Sequence, residues 1–479
     1  MPHLSLPIRD DRIKEHCGLF GVWGRKDAAE LTYLGIYAQQ HRGQEAAGIC
    51  SVRDGLIHRH AALGLVTQAF TPESLKAVAG TASIGHVRYS TTGSCSEVNC
   101  QPLLVNYARG QVAVAHNGNL VNAKELRAAY EARGAIFQTS SDTEVILHLL
   151  ASPLFDDAPD PLAAVLRDLR GAFSLVFIFP DRIEAVRDTQ GFRPLCIGRL
   201  DDGAYVVASE TCALDIVDAE YIRDVKPGEI ITLSDGGLSS RFFAEPSEIQ
   251  PAQCIFEHVY FADPSSNVFN QNVHAFRVAC GRQLAREAPA DADLVIPVPN
   301  AARCAAIGYS EASGLPRSRG FTTNHYMGRS FIMPTQRQRD LAVRMKLNVI
   351  RESVAGKRLV VVEDSVVRGT TTRGKMGALR KAGAAEIHLR VASPPIRHPC
   401  YYGIDFPDPK ELIATGRSIE DIRDYLCVDS LAYLSHEGML SCAKEAAIHY
   451  CGACFSGHYP VSIDSPLAKT GFEKQPLTT

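Results

Sequence analysis

The sequence predicts two unlike halves, an α+β N-terminal half and an α/β C-terminal half with a mainly parallel sheet. Three observations carry that reading. At 479 residues the chain is long enough for two or three domains. Before residue 234, short apolar runs (VAVAHNG, SLVFIF, EAVRD, AYVVAS) alternate with turn signals, as the strands of a largely β-built system do. After residue 254, continuous apolar strands alternate with helical patterns, as parallel strands covered on both faces do.

The elements follow in order. AAELTYLGIYAQQ reads as a helix with Leu31, Leu34 and Ala38 on one face. A second helix begins at Ser141, where SDTE has capping-box spacing between Ser141 and Glu144 ahead of VILHLL. Gly, Ser and Pro clusters at SDGGLSS (Ser234 to Ser240) and AEPSEIQPAQ mark a break near the middle of the chain. Beyond it come strand ADLVIPVP, helix AARCAAIGYSEAS, strand KRLVVVED, helix TTRGKMGALRKAG and strand EIHLRVAS.

An apolar fraction of 46% with 22% charged residues excludes a mainly disordered chain. A formal net charge of -3 offers no chain-wide attraction to nucleic acid or a membrane surface, so any anionic substrate must be met by a local site. No run approaches the roughly 20 apolar residues of a spanning helix, and MPHLSLPIRDDRIKEH is too charged for a signal peptide. The 14 cysteines are therefore expected in a reduced, cytoplasmic protein, mostly as small buried hydrophobes.

LVVVEDSVVRGTTTRGKM (359–376) is the most informative segment: a buried strand, the acids Glu363 and Asp364, a turn rich in Ser, Arg, Gly and Thr, then a helix start. Helix N-termini present unpaired N–H groups and positive partial charge, which suits a phosphate. Gly369 permits positive φ, and the hydroxyls of Ser365, Thr370, Thr371 and Thr372 can add donors. The two carboxylates can accept from a ribose diol or hold a hydrated Mg²⁺. GTTTRGKM also matches the spacing of a nucleoside-triphosphate loop. Met376 replaces the metal-binding hydroxyl, and the acids intervene between strand and glycine, so that reading fails.

This segment resembles the phosphoribosyl-pyrophosphate signature of type I phosphoribosyltransferases. The resemblance implies that Glu363 and Asp364 contact the ribose hydroxyls and Mg²⁺, and that Ser365, Arg368, Gly369, Thr370, Thr371 and Thr372 surround the 5′-phosphate. Arg329, Arg337, Arg339, Arg344 and Lys346 read either as a solvated basic loop, the commoner use of such charges, or as a flap closing over pyrophosphate.

Cys17 in EHCGLFGVWG is unremarkable alone. Together QQHRGQEAAGI, GHVRYSTTG, AHNGNL and TSSDTEVI resemble the N-terminal-nucleophile (class II) glutamine amidotransferases. The resemblance implies an αββα-layered domain over 17–245, removal of a propeptide over 1–16, and Cys17 as nucleophile with its own α-amino group as base. It further assigns the oxyanion hole to Asn117 and Gly118, the substrate carboxylate to Arg88, and the substrate ammonium to Asp142. For Asp142, SDTE also reads simply as a helix cap.

HYCGACFSG places Cys451 and Cys454 in C-x-x-C spacing, which alone fits zinc, redox chemistry or neither; no second such pair supports a zinc ribbon. A glutaminase-like half followed by a phosphoribosyltransferase-like half (255–479) resembles the amidophosphoribosyltransferase family. Some of its members bind a [4Fe–4S] cluster through cysteines in the contexts of Cys254, Cys400, Cys451 and Cys454. The resemblance implies glutamine-dependent amination of phosphoribosyl pyrophosphate at the start of purine synthesis. It also implies Mg²⁺, purine nucleotides as feedback inhibitors, and a homo-oligomer, dimer or tetramer. Asn300 and Ala301 depart from the family's polar pyrophosphate turn, and FADPSS around Asp263 lacks its basic residue. The competing reading is a non-catalytic phosphoribosyl-pyrophosphate-binding regulator with an iron–sulfur sensor.

Overall fold

A computed structural model describes residues 17–89, 96–323, 347–405 and 408–463. The propeptide expected over residues 1–16, Cys95 and the five basic residues from Arg329 to Lys346 lie outside them.

The N-terminal half is two stacked antiparallel sheets. One has seven strands in the order Glu220–Asp224, Cys196–Arg199, Tyr205–Ala208, Gly18–Trp23, Ala82–Arg88, Ala46–Arg53, Leu56–Leu63. The other has six: Gly237–Phe242, Glu229–Ser234, Arg182–Arg187, Gly171–Phe179, Gly110–Leu120, Leu103–Tyr107. Side-chain alternation along each strand divides them among three cores. Leu19, Ile84, Ala113, Ala115, Val176 and Ile178 meet between the sheets. Phe20, Val22 and Val87 turn outward under the helix Ala28–Ala38. On the far side Val112, Val114, Phe173, Leu175 and Phe177 pack under the helices Thr143–Leu150 and Pro161–Arg167. Three cores between four layers make the αββα arrangement.

Three local expectations change. The buried stripe of the first helix is Ala28, Ala29, Thr32, Gly35 and Ile36, and Leu34 faces solvent, because small residues let the helix lie close on Phe20. SDGG is the turn of a hairpin pairing Ser234 with Gly237 rather than a linker, so the chain leaves the six-stranded sheet only after Phe242. The capping box at Ser141 does not form: Ser141 Oγ accepts from the Thr143 N–H at 3.3 Å, while the Glu144 carboxylate accepts from the N–H groups of Gln138 and Thr139 at 2.8 and 2.7 Å.

The C-terminal half is a parallel sheet ordered Leu294–Pro297, Arg358–Glu363, Glu386–Val391, Ser430–Tyr433. Val295, Val360 and Val362 face the helices Val273–Glu287 and Ala302–Ser313. Ile296, Leu359 and Val361 face the helices Thr370–Lys381 and Ile419–Leu426. Met376, which spoiled the nucleoside-triphosphate reading, is a fully buried member of that second core. A short parallel ladder pairs Gln253 with Tyr450 and Cys254 with Cys451, returning the last described segment to the beginning of this half.

Candidate active sites

Cys17 immediately precedes the strand Gly18–Trp23, and its buried thiol donates to the Tyr89 carbonyl at 3.6 Å. Burial pushes the thiol pKa up, against the fields of Arg88 and Arg42, while Asp142 adds to the rise. Arg88 ends the adjacent strand, where Val87 pairs with Gly18, and is almost wholly buried. The carboxylate of Asp142 does not cap its helix. Its Oδ2 accepts from the Leu120 N–H at 3.0 Å, and its Oδ1 lies 3.7 Å from His116 Nδ1. Burial opposes ionisation of Asp142, but His116 and the backbone donors outweigh it and hold the pKa below the usual range.

Asn117 and Gly118 lie on Gly110–Leu120, in the sheet stacked on the one that carries Cys17. The two sheets touch beside them, where His86 Nε2 lies 3.2 Å from the His116 carbonyl. Asn117 is fully buried, yet among the described residues neither its Nδ2 nor its Oδ1 has a hydrogen-bond partner. Gly118 has φ +151, and a Cβ there would sit 2.0 Å from the Ala172 carbonyl oxygen. Only glycine fits that backbone against the neighbouring strand.

The second group lies at the C-terminal end of the parallel strands, where open α/β sheets bind ligands. Glu363 is buried, and Asp364 beside it is partly buried. Lys375 Nζ sits 3.3 Å from both oxygens of Glu363. Burial, opposed by Lys375 and reinforced by Asp364, raises the Glu363 pKa to about 7. Burial also raises that of Asp364, against a 2.8 Å bond donated by the Ser365 hydroxyl. Gly369 turns the chain into the helix Thr370–Lys381 with φ +79, and a Cβ there would lie 2.5 Å from Ile413 Cδ1. Thr372 is buried, and Thr370 and Thr371 open the helix. Arg368 is drawn sideways to Glu411, with Nε to Oε2 at 3.1 Å. Val298 N donates to Val362 O at 2.8 Å, which sets the Asn300–Ala301 turn beside the acidic pair.

Cys254, Cys400 and Cys451 each lie close enough to Cys454 to act on its charge, and all four are free thiols. Burial leads the rise in every one of their pKa values. Cys254 reaches about 11 despite Arg193, and Cys454 is raised further by the other three. No three of their sulfurs lie within 4.8 Å of one another. A tetrahedral zinc needs sulfurs about 3.8 Å apart, from Zn–S bonds of about 2.3 Å. Four cysteines that influence one another's charge would instead suit a group carrying its own sulfides. His41, Glu210 and Cys212 do lie within 4.8 Å of one another. Glu210 is already engaged by Arg42, by His41 at 2.9 Å, and by Ser266 Oγ and the Asp263 N–H, each at 2.8 Å, which leaves it ill-suited to an ion.

Sequence reasoning missed Arg42, Arg193, Glu210, Glu257 and Lys375. Arg42 lay within the motif QQHRGQEAAGI, which was the available signal, but arginine is usually exposed and nothing local marks one for burial.

A family model described as a glutamine amidotransferase domain matches residues 86–215. The chain is 45% identical to the amidophosphoribosyltransferase of Synechocystis sp. over 474 residues, 98% of this chain and 95% of that one. It is 47% identical to the Mycobacterium tuberculosis enzyme of the same name over 471 residues, 95% and 88% of the two chains. Among solved structures, the glutamine phosphoribosylpyrophosphate amidotransferase of B. subtilis, complexed with ADP and GMP, superposes with a TM-score of 0.89. It is 44% identical, and the match covers 95% of this chain and 100% of that one. With both half-sites on one chain and the likeness running through both, the chain belongs to the amidophosphoribosyltransferase family.

Proposed function

We propose that the chain transfers the amide nitrogen of glutamine to phosphoribosyl pyrophosphate, using Cys17 in the 17–245 domain and the Glu363 loop in the 255–479 domain. It is an amidophosphoribosyltransferase, forming 5-phosphoribosylamine, glutamate and pyrophosphate in purine biosynthesis. The observation that carries the residue assignment is the unpartnered, buried Asn117 amide facing the sheet of the buried Cys17.

Arg88 holds the α-carboxylate of glutamine and Asp142 its α-ammonium, which brings the side-chain amide to Cys17. With residues 1–16 removed, the α-amino group takes the thiol proton. Sulfur then bonds to the amide carbon. The oxyanion is received by Asn117 Nδ2 and the Gly118 N–H. Collapse expels ammonia as the α-ammonium group returns that proton to the leaving nitrogen, and water hydrolyses the thioester to glutamate.

In the second half the helix start after Gly369, with Ser365, Thr370, Thr371 and Thr372, holds the 5′-phosphate. Glu363 and Asp364 accept from the ribose hydroxyls, and ammonia displaces pyrophosphate at C1. Glu363 and Asp364 would also hold Mg²⁺, which would supply charge neutralisation for the leaving group. Cys254, Cys400, Cys451 and Cys454 would hold a [4Fe–4S] cluster. The B. subtilis relative carries ADP and GMP, and we extend purine-nucleotide inhibition and homo-oligomer formation to this chain. No described helix is long and apolar enough to cross a membrane, and we place the protein in the cytoplasm.

Pyrophosphate release with glutamine or ammonium chloride tests the assignment. Wild type uses both, and Cys17→Ala uses only ammonia. Glutamine-dependent turnover by Cys17→Ala would refute the nucleophile, and an active protein whose intact mass retains residues 1–16 would refute the base.

A further inference from the structure

Two buried guanidiniums and two buried carboxylates connect the halves. Arg42 is wholly buried, and its Nε donates to the Cys17 carbonyl at 3.1 Å. Its Nη1 donates to Glu210, and its Nη2 reaches both oxygens of Glu257 at 3.0 Å. Glu257 comes from the other half, on the π-helical turn Glu257–Phe261, and is itself wholly buried. It also accepts from Arg193 Nη1 at 3.1 Å, and Arg193 Nη2 donates to the Tyr402 carbonyl at 2.6 Å. The carbonyl of the nucleophilic residue is thus gripped by a guanidinium whose fork is aimed by a carboxylate 215 residues away.

We propose that Glu257 is a positioning residue for glutamine hydrolysis: through Arg42 it fixes the rotation of Cys17, so the N-terminal nucleophile depends on the C-terminal half. The inference rests on Cys17 as nucleophile. Arg42 holds Cys17 by its carbonyl, and rotation there swings both the thiol and the α-amino group attached to the same Cα. Glu210 alone leaves one branch of the Arg42 fork without a carboxylate. Near-attack geometry is sensitive to displacements of an ångström, and substrate binding through Arg88 and Asp142 is a separate matter.

The test compares the full chain as wild type, Glu257→Gln, and Glu257→Gln/Arg193→Gln, in which buried charge is balanced again. In Glu257→Gln, kcat for glutamine hydrolysis falls on the order of 100-fold while the KM for glutamine stays within about twofold. Iodoacetamide labelling of Cys17, located by peptide mass, slows in parallel. The double variant regains thermal stability but keeps the low kcat, and it carries the test should the single variant not fold. A single-variant kcat within about threefold of wild type, or a wild-type kcat in the double variant, overturns the proposal. Glutamine hydrolysis by Cys17→Ala would instead remove the reading on which it rests.

Discussion

Asn117→Ala separates function from stability at one atom group. The amide is fully buried, and neither polar atom has a partner among the described residues. Leaving such a group unpaired costs the folded protein about 1–3 kcal/mol. Truncation recovers that cost but opens a small void; at about 24 cal/mol per Å³, a few displaced atoms give back roughly 1 kcal/mol. The variant should therefore be as stable as wild type or up to about 2 kcal/mol more so. For a half of this size, that is an unfolding temperature unchanged or raised by as much as roughly 8 °C. Losing one oxyanion donor costs about 10²–10³ in kcat. The paired assays are calorimetry and steady-state glutamate formation, with ammonia-dependent pyrophosphate release as the internal control. An unfolding temperature lowered by more than about 2 °C would show that the amide has a partner in the folded protein. Glutamine turnover within about threefold of wild type would show that Asn117 does not receive the oxyanion.

Three further outcomes are expected. The folded pKa of Glu363, about 7, lies above that of an unfolded glutamate. The folded protein therefore holds a proton the unfolded chain releases, and this group's contribution to stability is full below about pH 4 and lost as pH rises to about 7. Glu363→Gln removes that loss, so urea unfolding should show the variant's advantage growing toward about 3 kcal/mol by pH 8; an unchanged pH profile would contradict the raised pKa. Gly369→Ala sets a Cβ at positive φ and 2.5 Å from Ile413 Cδ1, which strains the loop by about 1–2 kcal/mol before the side-chain clash is counted. Ammonia-dependent rates should show the KM for phosphoribosyl pyrophosphate raised about tenfold or more, and an unchanged KM would place the phosphate elsewhere. Cys454→Ala should lower iron and acid-labile sulfide per chain to well under half of wild type, with loss of visible absorption; unchanged counts would remove Cys454 from the ligand set.

Local pattern made the strands and motifs legible. Period-two alternation assigns Ala113 and Ala115 to one core and Val112 and Val114 to another without knowledge of what lies opposite. Continuous apolar runs such as Leu359 to Val362 announce strands covered on both faces. Reading failed where a residue's use depended on distant geometry. Leu34 looked like core because large apolar residues usually are, but close approach to Phe20 favoured the small face of its helix. Glu144 had capping-box spacing, yet the backbone of Gln138 and Thr139 offered its carboxylate better donors than its own helix start.

By itself, then, the order of residues determined two halves of different architecture, a strand–acid–glycine–helix loop and a set of glutaminase-like motifs, because backbone periodicity and turn chemistry act over a few neighbours. Only the tertiary structure decided that Cys254, Cys400 and Cys451 lie near Cys454, that Asn117 has no partner among the described residues, and that Arg42 and Arg193 share Glu257. Buried charges and converging thiols require partners from far along the chain, and that proximity exists only once the sheets have packed.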